Sequence, residues 1–412
     1  MTDDADVVIV GGGPAGLAAA IELRRRGVAR VVVLEREAEA GGIPRHTAHL
    51  GFGVRDFHRL LSGPAYAARY VQLARAAGVD VRTETSVTGW AGPRTLAITA
   101  PTGRGSLRGT AVLLATGCRE RPRAARLVPG ARPLGVFTTG ALQQLVYLEK
   151  ERVARRAVVV GAEHVSFSAV VTLAHAGATT AAIVTDEPRH QSYGALAWAT
   201  AGWRRVPILT DTVVSSIVGR RRVERVQLTN VASGATHAVD CDAVVFTGDW
   251  IPDHELARTG GLVIDATRGP RIDAALRTSA RGIFAAGNLV HAAEAGDVAA
   301  LSGRHAAAAV AAFLQRGAWP STPPVPIVPR PPLRWISPGA IDGDMRPPRD
   351  QFVMRVGAWI DDARLEVRQG DRRLWQGRYR RLVPNRSIAL DAAWTRDVEH
   401  AGPEITVALD RD

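Results

Sequence analysis

A β-branched run, Val7-Val-Ile-Val10, breaks into Gly11-Gly-Gly13-Pro14-Ala15-Gly16 and passes directly into an alanine-rich segment that reaches Ile21. That order of strand, glycine turn and helix is the tightest constraint in the chain. Gly11 permits a sharp exit from the strand, Gly13 lets backbone approach a pyrophosphate, and Gly16 lets the helix pack close against the sheet. The helix N-terminus, with its free N–H groups, then faces the phosphates. A second apolar run, Val31 to Leu34, ends at Glu35. That is about twenty residues past Gly16, the spacing at which a carboxylate accepts hydrogen bonds from an adenosine ribose. The chain therefore opens as β-α-β around a dinucleotide site.

The pattern restarts about 150 residues later, an internal repeat of the whole unit. Ala157-Val-Val-Val160 leads into Gly161-Ala-Glu163-His-Val-Ser166 and an apolar helix to Ala176, and the next strand, Ala181 to Val184, precedes Asp186. Ala243-Val-Val-Phe-Thr247-Gly248 echoes the strand that runs into Ala115-Thr116-Gly117. Between the repeats, Ser62 opens a helical pattern through Tyr66, Tyr70 and Leu73, and Thr95–Ile98 with Leu107–Leu114 reads as a hairpin. Thr278 to Asn288 reads as a short strand and turn, and Arg304 to Arg316 as a helix. Past a proline-dense stretch, segments such as Phe352–Val356 and Glu404–Leu409 alternate in period two. The fold class that follows is α/β, with two nested Rossmann-like domains and a small C-terminal β-rich domain.

Composition narrows the function. Two cysteines, Cys118 and Cys241, belong to no CxxC pair and cannot build a disulfide framework, a cysteine-rich iron–sulfur site or a metal site. The formal net charge of +12 comes almost wholly from arginines interleaved with acids, without the basic-aromatic face that nucleic acid requires. It favours an anionic substrate or an acidic partner. No run approaches the ~18 apolar residues of a membrane span. Asp3, Asp4 and Asp6 stand where a signal peptide would be basic. The expected location is cytoplasmic.

With both fingerprints, Ala115-Thr116-Gly117 and Phe284-Ala-Ala-Gly287-Asn288 in order, the chain resembles the two-dinucleotide-binding-domain flavoproteins, the pyridine nucleotide–disulfide oxidoreductase superfamily. Gly41-Gly42-Ile43, Gly51-Phe-Gly53, Ser62-Gly-Pro-Ala-Tyr66 and Thr139-Gly-Ala-x-Gln143 resemble most the FAD-binding subunits of opine, hydroxyproline and cyanide-forming glycine dehydrogenases, and oxidoreductases associated with glycerol-3-phosphate dehydrogenases. The resemblance implies a discontinuous FAD-binding domain over 1–120 and 265–318, an NAD(P)-binding-like domain over 121–264, a proline-rich linker over 319–333 and a β-rich domain over 334–412. It also implies FAD as cofactor. Gly11, Gly13, Pro14, Ala15 and Gly16 would seat its pyrophosphate, Glu35 its adenosine ribose, and Arg36 and Val87 would flank the adenine. Gly42, Ile43, Ala115, Thr116 and Gly117 would line its path. Gly287-Asn288 stands where the family has Gly-Asp, so an amide would hold the ribityl chain. The helix beginning after residue 295 would point its positive end at the flavin.

Three departures shape the expected activity. Ile43-Pro44-Arg45-His46 stands where disulfide reductases carry their cysteine pair, which disfavours disulfide reduction. No FxGxxxHxxxW string is present, which disfavours the Baeyer–Villiger and N-hydroxylating branch. In the repeat, Glu163 replaces a glycine and puts a carboxylate where a pyrophosphate would lie, and Ser166 loosens the packing of helix on strand. Like charges in near contact cost about 1 kcal/mol at 4 Å in water and more when buried. If Gly161, Glu163, Ser166, Asp186 and Gly248 hold a nucleotide, Asp186 favours NAD over NADP, while Arg189 argues the other way. Efficient NAD(P)H turnover is not expected there.

Arg45, His46 and His49 are the candidates for catalysis beside the flavin, where a histidine, with a pKa near ~6.5, suits taking a proton from a substrate amine or hydroxyl; all three also suit holding loop carbonyls and flavin oxygens or lining an interface. Asp249, Trp250 and His254 read as a capped loop with a packed indole, Arg220–Arg222 as a solvated hairpin tip, and Tyr66, Tyr70 and Tyr193 as core or half-buried. His164 suits capping the helix entry. The expected function is an FAD-dependent dehydrogenase subunit that oxidises, or relays electrons from, a small amine, amino acid or hydroxy acid. Partner dehydrogenase and iron–sulfur subunits and an oligomeric state are part of that expectation. A stand-alone NAD(P)H-dependent flavin oxidoreductase and a non-catalytic FAD-binding scaffold are the alternatives.

Overall fold

The computed structural model describes residues 2–342 and 345–410. The chain forms two compact units. The first gathers the chain up to Arg45, Leu50–Cys118 and everything from Pro252 onward; the second holds His46–His49 and Arg119–Ile251.

The first unit is built on a sheet ordered Asp80–Arg82, Val31–Leu34, Thr2–Val10, Gly103–Leu114, Thr95–Ala100, Ser86–Gly92. Its central pairs are parallel, with Val10 opposite Leu34 and Leu114, and Ile283–Ala285 adds to the Gly103–Leu114 strand near its end. Val7 to Val10 and Val31 to Leu34 are buried, as continuous apolar runs must be when both faces of a parallel sheet are covered. The helix Pro14–Arg25 crosses the long helix Gly296–Arg316 at very short range. A Cβ on Gly303 would run into the Ala15 carbonyl oxygen, so this crossing fixes glycine at 303.

The C-terminal part of the first unit is a β sandwich. A five-stranded sheet (Ala340–Ile341, Val325–Pro329, Ile405–Leu409, Ile360–Gln369, Arg372–Leu382) and a three-stranded one (Leu333–Ser337, Gln351–Val356, Ile388–Asp391) share a core in which Trp394 stacks on Phe352. The stretch 319–333, read from its prolines as a linker, carries the strand Val325–Pro329. Ile327 and Arg330 donate their N–H groups to Gly339 and Val407, so prolines at 326 and 329 leave these bonds intact. The sandwich is tied to the rest of its unit by buried ion pairs. Arg277 bridges Asp273 at 2.7 Å and Asp342 at 2.5 Å, and Arg355 donates to Ala293 O at 3.1 Å and pairs with Glu294 at 3.4 Å.

The second unit repeats the theme with a parallel sheet ordered Val136–Thr138, Ala243–Phe246, Arg156–Val160, Thr179–Val184, Ile208–Leu209, and a three-stranded antiparallel sheet spanning Thr212–Asp240. The α/β class with two Rossmann-like sheets is what the doubled fingerprint leads one to expect. Arg220 to Arg222 do form an exposed hairpin tip. Tyr66 and Tyr70 are buried, but Tyr193, read as core or half-buried, is 62% exposed. Its ring stacks on His164, itself an exposed side chain, so the pair lies at the surface.

Candidate functional site

In the first fingerprint, Gly11 adopts φ +109° and a Cβ there would strike the Ala115 carbonyl; a Cβ on Gly16 would strike the Gly11 carbonyl. Both are close approaches only glycine allows. Gly13 is the N-cap of the helix, with Pro14 in its first turn, so the N–H groups of Ala15 and Gly16 have no intrahelical carbonyl to meet. The loop carrying Gly41 and Gly42 folds onto this turn: Gly41 N–H donates to Gly12 O at 2.8 Å, and Gly42, at φ +63°, lies so near Gly13 that a Cβ would come within 2.9 Å of its Cα. A Cβ on Gly13 would have no other heavy atom than Gly42 Cα, at 3.9 Å, near it. The result is a cradle walled by bare backbone, open above a helix N-terminus. It fits a dinucleotide pyrophosphate.

Glu35 is buried and works first on the loop itself. Its Oε2 accepts the Gly12 N–H and its Oε1 the Glu37 N–H, each at 2.9 Å. A carboxylate has about four acceptor sites, so capacity remains for ribose hydroxyls. Arg36 is exposed and pairs with Glu37 at 3.6 Å, and Val87 is half-buried in its strand. Gly287, at φ +71°, approaches so closely that a Cβ would lie 2.6 Å from Ala15 Cβ, and its N–H donates to Ser302 Oγ at 3.1 Å. The Asn288 amide spans its own loop, accepting from Glu294 N at 2.8 Å and donating to Glu294 O at 3.1 Å. Thr116 Oγ1 donates to Asp253 O at 2.8 Å.

The long helix begins at Gly296, and its first turn carries Asp297, whose buried carboxylate accepts from Val298 N and pairs with Arg55 at 3.1 Å. The positive potential at this helix start is thus joined to a guanidinium and offset by a carboxylate. Neither Arg55 nor Asp297 stood out in the sequence. Nor did Asp56, whose Oδ2 accepts from both Tyr66 Oη and Tyr70 Oη at 2.7 Å. Burial pushes both phenols upward, well out of reach of ordinary titration.

The second fingerprint copies the framework of the first. Gly161 N donates to Val184 O as Gly11 N does to Leu34 O, Thr247 N to Val160 O as Ala115 N to Val10 O, and Gln191 N to Ala162 O as Gly41 N to Gly12 O. Glu163 has the N-cap backbone of Gly13, with φ −88° and ψ −178° against −81° and −175°. There the likeness stops. The Glu163 carboxylate folds back over the turn: its oxygens would lie 2.9 and 3.1 Å from a Cβ on Gly161, and Oε1 would collide with one on Gly248. Oε1 is sealed from solvent without a hydrogen-bond partner. Burial pushes the acid upward, against the Thr247 hydroxyl and the Arg126 guanidinium.

Strand pairing sets Val160 opposite Val184 as it sets Val10 opposite Leu34. Thr185 therefore stands where Glu35 stands, its Oγ1 accepting the Glu187 N–H at 3.2 Å, while Asp186 is exposed. Ser166 Oγ and Thr247 Oγ1 bond at 2.6 Å. His164 does not cap the helix; its Nδ1 meets Ser192 Oγ at 2.8 Å and its ring stacks on Tyr193.

Beside Glu163 stands a residue the sequence reading passed over, Glu120. It is buried, accepts Gly140 N–H at 2.8 Å on Oε2, and leaves Oε1 without a partner. Burial, with Glu163 nearby, pushes its carboxyl up to about 7. Arg126 donates to the Thr247 and Gly248 carbonyls, each at 2.9 Å.

Of the candidates for catalysis, Arg45 lies in the first unit and pairs with Glu39 at 3.0 Å. His46 and His49 fall in the second unit, where His46 is buried and its neighbour Thr47 donates to Gln143 Oε1 at 3.3 Å. Asp249 pairs with Arg121 at 2.9 Å, Trp250 is half-buried, and the His254 ring bonds the Arg268 carbonyl. Cys118 and Cys241 are buried, one in each unit, and form no disulfide with each other. Among the described residues no helix is long and apolar enough to cross a membrane, and no cluster of His, Cys, Asp and Glu suits a metal ion.

Comparison with known proteins agrees with this duplicated frame. Thioredoxin reductase of Treponema pallidum is 29% identical over 302 residues, 70% of this chain and 90% of that protein. Hydrogen cyanide synthase subunit HcnB of Pseudomonas aeruginosa is 36% identical over 146 residues, 33% of this chain and 29% of HcnB. Among solved structures, thioredoxin reductase of T. acidophilum superposes with a TM-score of 0.63 at 22% identity, covering 75% of this chain and 98% of that one. Residues 5–312 match the pyridine nucleotide-disulphide oxidoreductase family throughout; the chain is a member of that family of oxidoreductases, whose members bind FAD and use NAD(P)H.

Proposed function

We propose that this chain holds FAD at the first fingerprint and acts as the dehydrogenase half of a redox enzyme, taking electrons from a small amine, amino acid or hydroxy acid rather than from NAD(P)H. The observation that carries this is the Glu163 carboxylate, folded over Gly161 and Gly248 on the N-terminus of the second fingerprint helix. A carboxylate placed there meets the pyrophosphate charge head on, in a setting already short of hydrogen-bond partners. Thr185 in place of a ribose-binding acid removes a second contact.

When bound, FAD supplies the two-electron acceptor. Gly13, Gly42 and Gly287 give the cofactor's backbone-lined seat, the N–H groups of Ala15 and Gly16 meet its phosphates, and Glu35 accepts from its ribose while bracing Gly12. His46 and His49, by their place in the chain after Gly42, are our candidates for accepting the substrate proton, with Arg45 beside them in sequence as a fixed positive charge. His46→Gln should lower kcat/KM by about 100-fold; an unchanged kcat/KM would remove His46 from that role. The lack of a cysteine pair after Gly42, with Cys118 and Cys241 buried in separate units, speaks against dithiol chemistry. The name of HcnB, a subunit, supports a chain that works with partners.

Anaerobic mixing tests this. NADH and NADPH should leave the flavin absorbance unchanged over minutes, while one of a panel of amines, amino acids and hydroxy acids should bleach it. Fast bleaching by NADH would favour the other reading, a stand-alone NADH-dependent reductase, for which the intact backbone frame of the second fingerprint is the supporting observation.

A further inference from the structure

The second unit carries a surface that the nucleotide fold does not use. The helix Gly194–Ala197 runs on through Trp198–Gly202 as a wider turn, in which the Trp203 N–H donates to the Trp198 carbonyl at 2.9 Å, five residues back. Inward it presents Ala197, Thr200 and Ala201, and Ala197 and Ala201 join the unit's core. Outward it presents Leu196, Trp198 and Trp203, which are 39%, 68% and 76% exposed, and just before them Tyr193, 62% exposed and stacked on His164. Small residues inside and indoles outside reverse the usual partition and forgo about 25 cal/mol for every Å² of apolar surface left in water. The chain between Glu187 and Asp211 contains no acidic residue, while Arg189, Arg204 and Arg205 are all exposed.

We propose that this helical knob docks the protein onto the surface of an anionic lipid bilayer. Tryptophan, tyrosine and leucine beside arginine is the composition that settles at the boundary of headgroups and acyl chains. The arginine edge and the chain's net charge of +12 complement anionic headgroups. The four exposed side chains offer on the order of 500 Å² of surface, short of the roughly 800 Å² per partner of a stable protein interface. A bilayer accepts protruding indoles without needing a complementary groove. The inference rests on the surface of one unit and is independent of the assignment of either nucleotide site.

The test is co-sedimentation of the full chain with vesicles of phosphatidylglycerol and phosphatidylcholine, against phosphatidylcholine alone. The chain should pellet with the anionic vesicles. Trp198→Ser with Trp203→Ser should weaken apparent affinity about tenfold or more, and Arg204→Glu with Arg205→Glu should weaken it most at low salt. Unchanged thermal melting will show that both variants fold. Failure of the parent chain to pellet with anionic vesicles, or equal pelleting of the tryptophan variant, overturns the proposal. So does a dimer in light scattering that the tryptophan variant dissolves while the parent ignores vesicles, which would assign the knob to a second copy of the chain.

Discussion

The two glycine fingerprints share a backbone and differ in what fills the space above it. Both end a buried strand in a left-handed glycine, hand one N–H to the neighbouring strand, and start a helix from an N-cap with nearly the same dihedral angles. Above Gly13 lies open space bounded by Gly42; above Gly161 lies the side chain of Glu163. On the proposed reading, the second Rossmann frame keeps its packing while the Glu163 side chain occupies the place of a pyrophosphate. The frame identifies the fold, and the one side chain at the helix N-terminus decides whether an anion is welcome.

Exchanging that side chain between the sites gives the largest expected effect. Gly13→Glu copies the second site into the first and should yield colourless protein without bound FAD, read from the absorbance at purification. Retention of one FAD per chain would mean the cofactor does not lie on this helix. The reciprocal change, Glu163→Gly with Ser166→Gly, should raise the rate of flavin reduction by NADH about tenfold or more, since roughly 1.4 kcal/mol of relieved repulsion is a factor of ten. No gain would show that the frame has lost more than one charge can restore. A smaller contrast separates the residues at the strand ends. Glu35→Gln leaves one acceptor for two N–H groups and should weaken FAD binding by about ten- to a hundredfold, at a cost of roughly 1–3 kcal/mol. Thr185→Val should leave FAD affinity unchanged in the same titration.

What the sequence discloses follows from what each residue type can encode. Gly11 and Gly16 mark close approaches that no other residue permits, so the turn's geometry is legible in the sequence, and Glu163 stands out as a charge at a glycine position. Asp186 follows the strand as a ribose-binding acid would, but one residue of register, set by Val160 opposite Val184, puts Thr185 at the place that Glu35 holds in the first fingerprint. Gly303 did carry a signal, an isolated glycine within an alanine-rich helix. The exposure of Tyr193 and Trp198 carried none, since burial depends on what the rest of the chain packs beneath them. Glu120, Gly140, Glu163 and Thr247 lie far apart in sequence and meet only through the sheet.

That last cluster supplies the smallest and most specific contrast. Glu35 has both oxygens bonded to backbone N–H groups; Glu120 has Oε2 bonded to Gly140 and Oε1 bonded to nothing. Burial pushes the Glu120 carboxyl up to about 7 from the ordinary 4.5, with the Glu163 charge acting in the same direction. Between those two values the folded chain holds a proton that the unfolded chain has released. Unfolding free energy therefore falls as pH rises through this window, by up to about 1.4 kcal/mol per pH unit and on the order of 3 kcal/mol in all. The stability is fully present below about pH 4.5 and gone above about 7. Glu120→Gln keeps an acceptor for Gly140 and removes the titration. It should match the parent in urea unfolding near pH 4 and exceed it by about 1–3 kcal/mol at pH 8. An equal pH dependence in parent and variant would place the strain on Glu163, and the same comparison with Glu163→Gln would then separate the two acids.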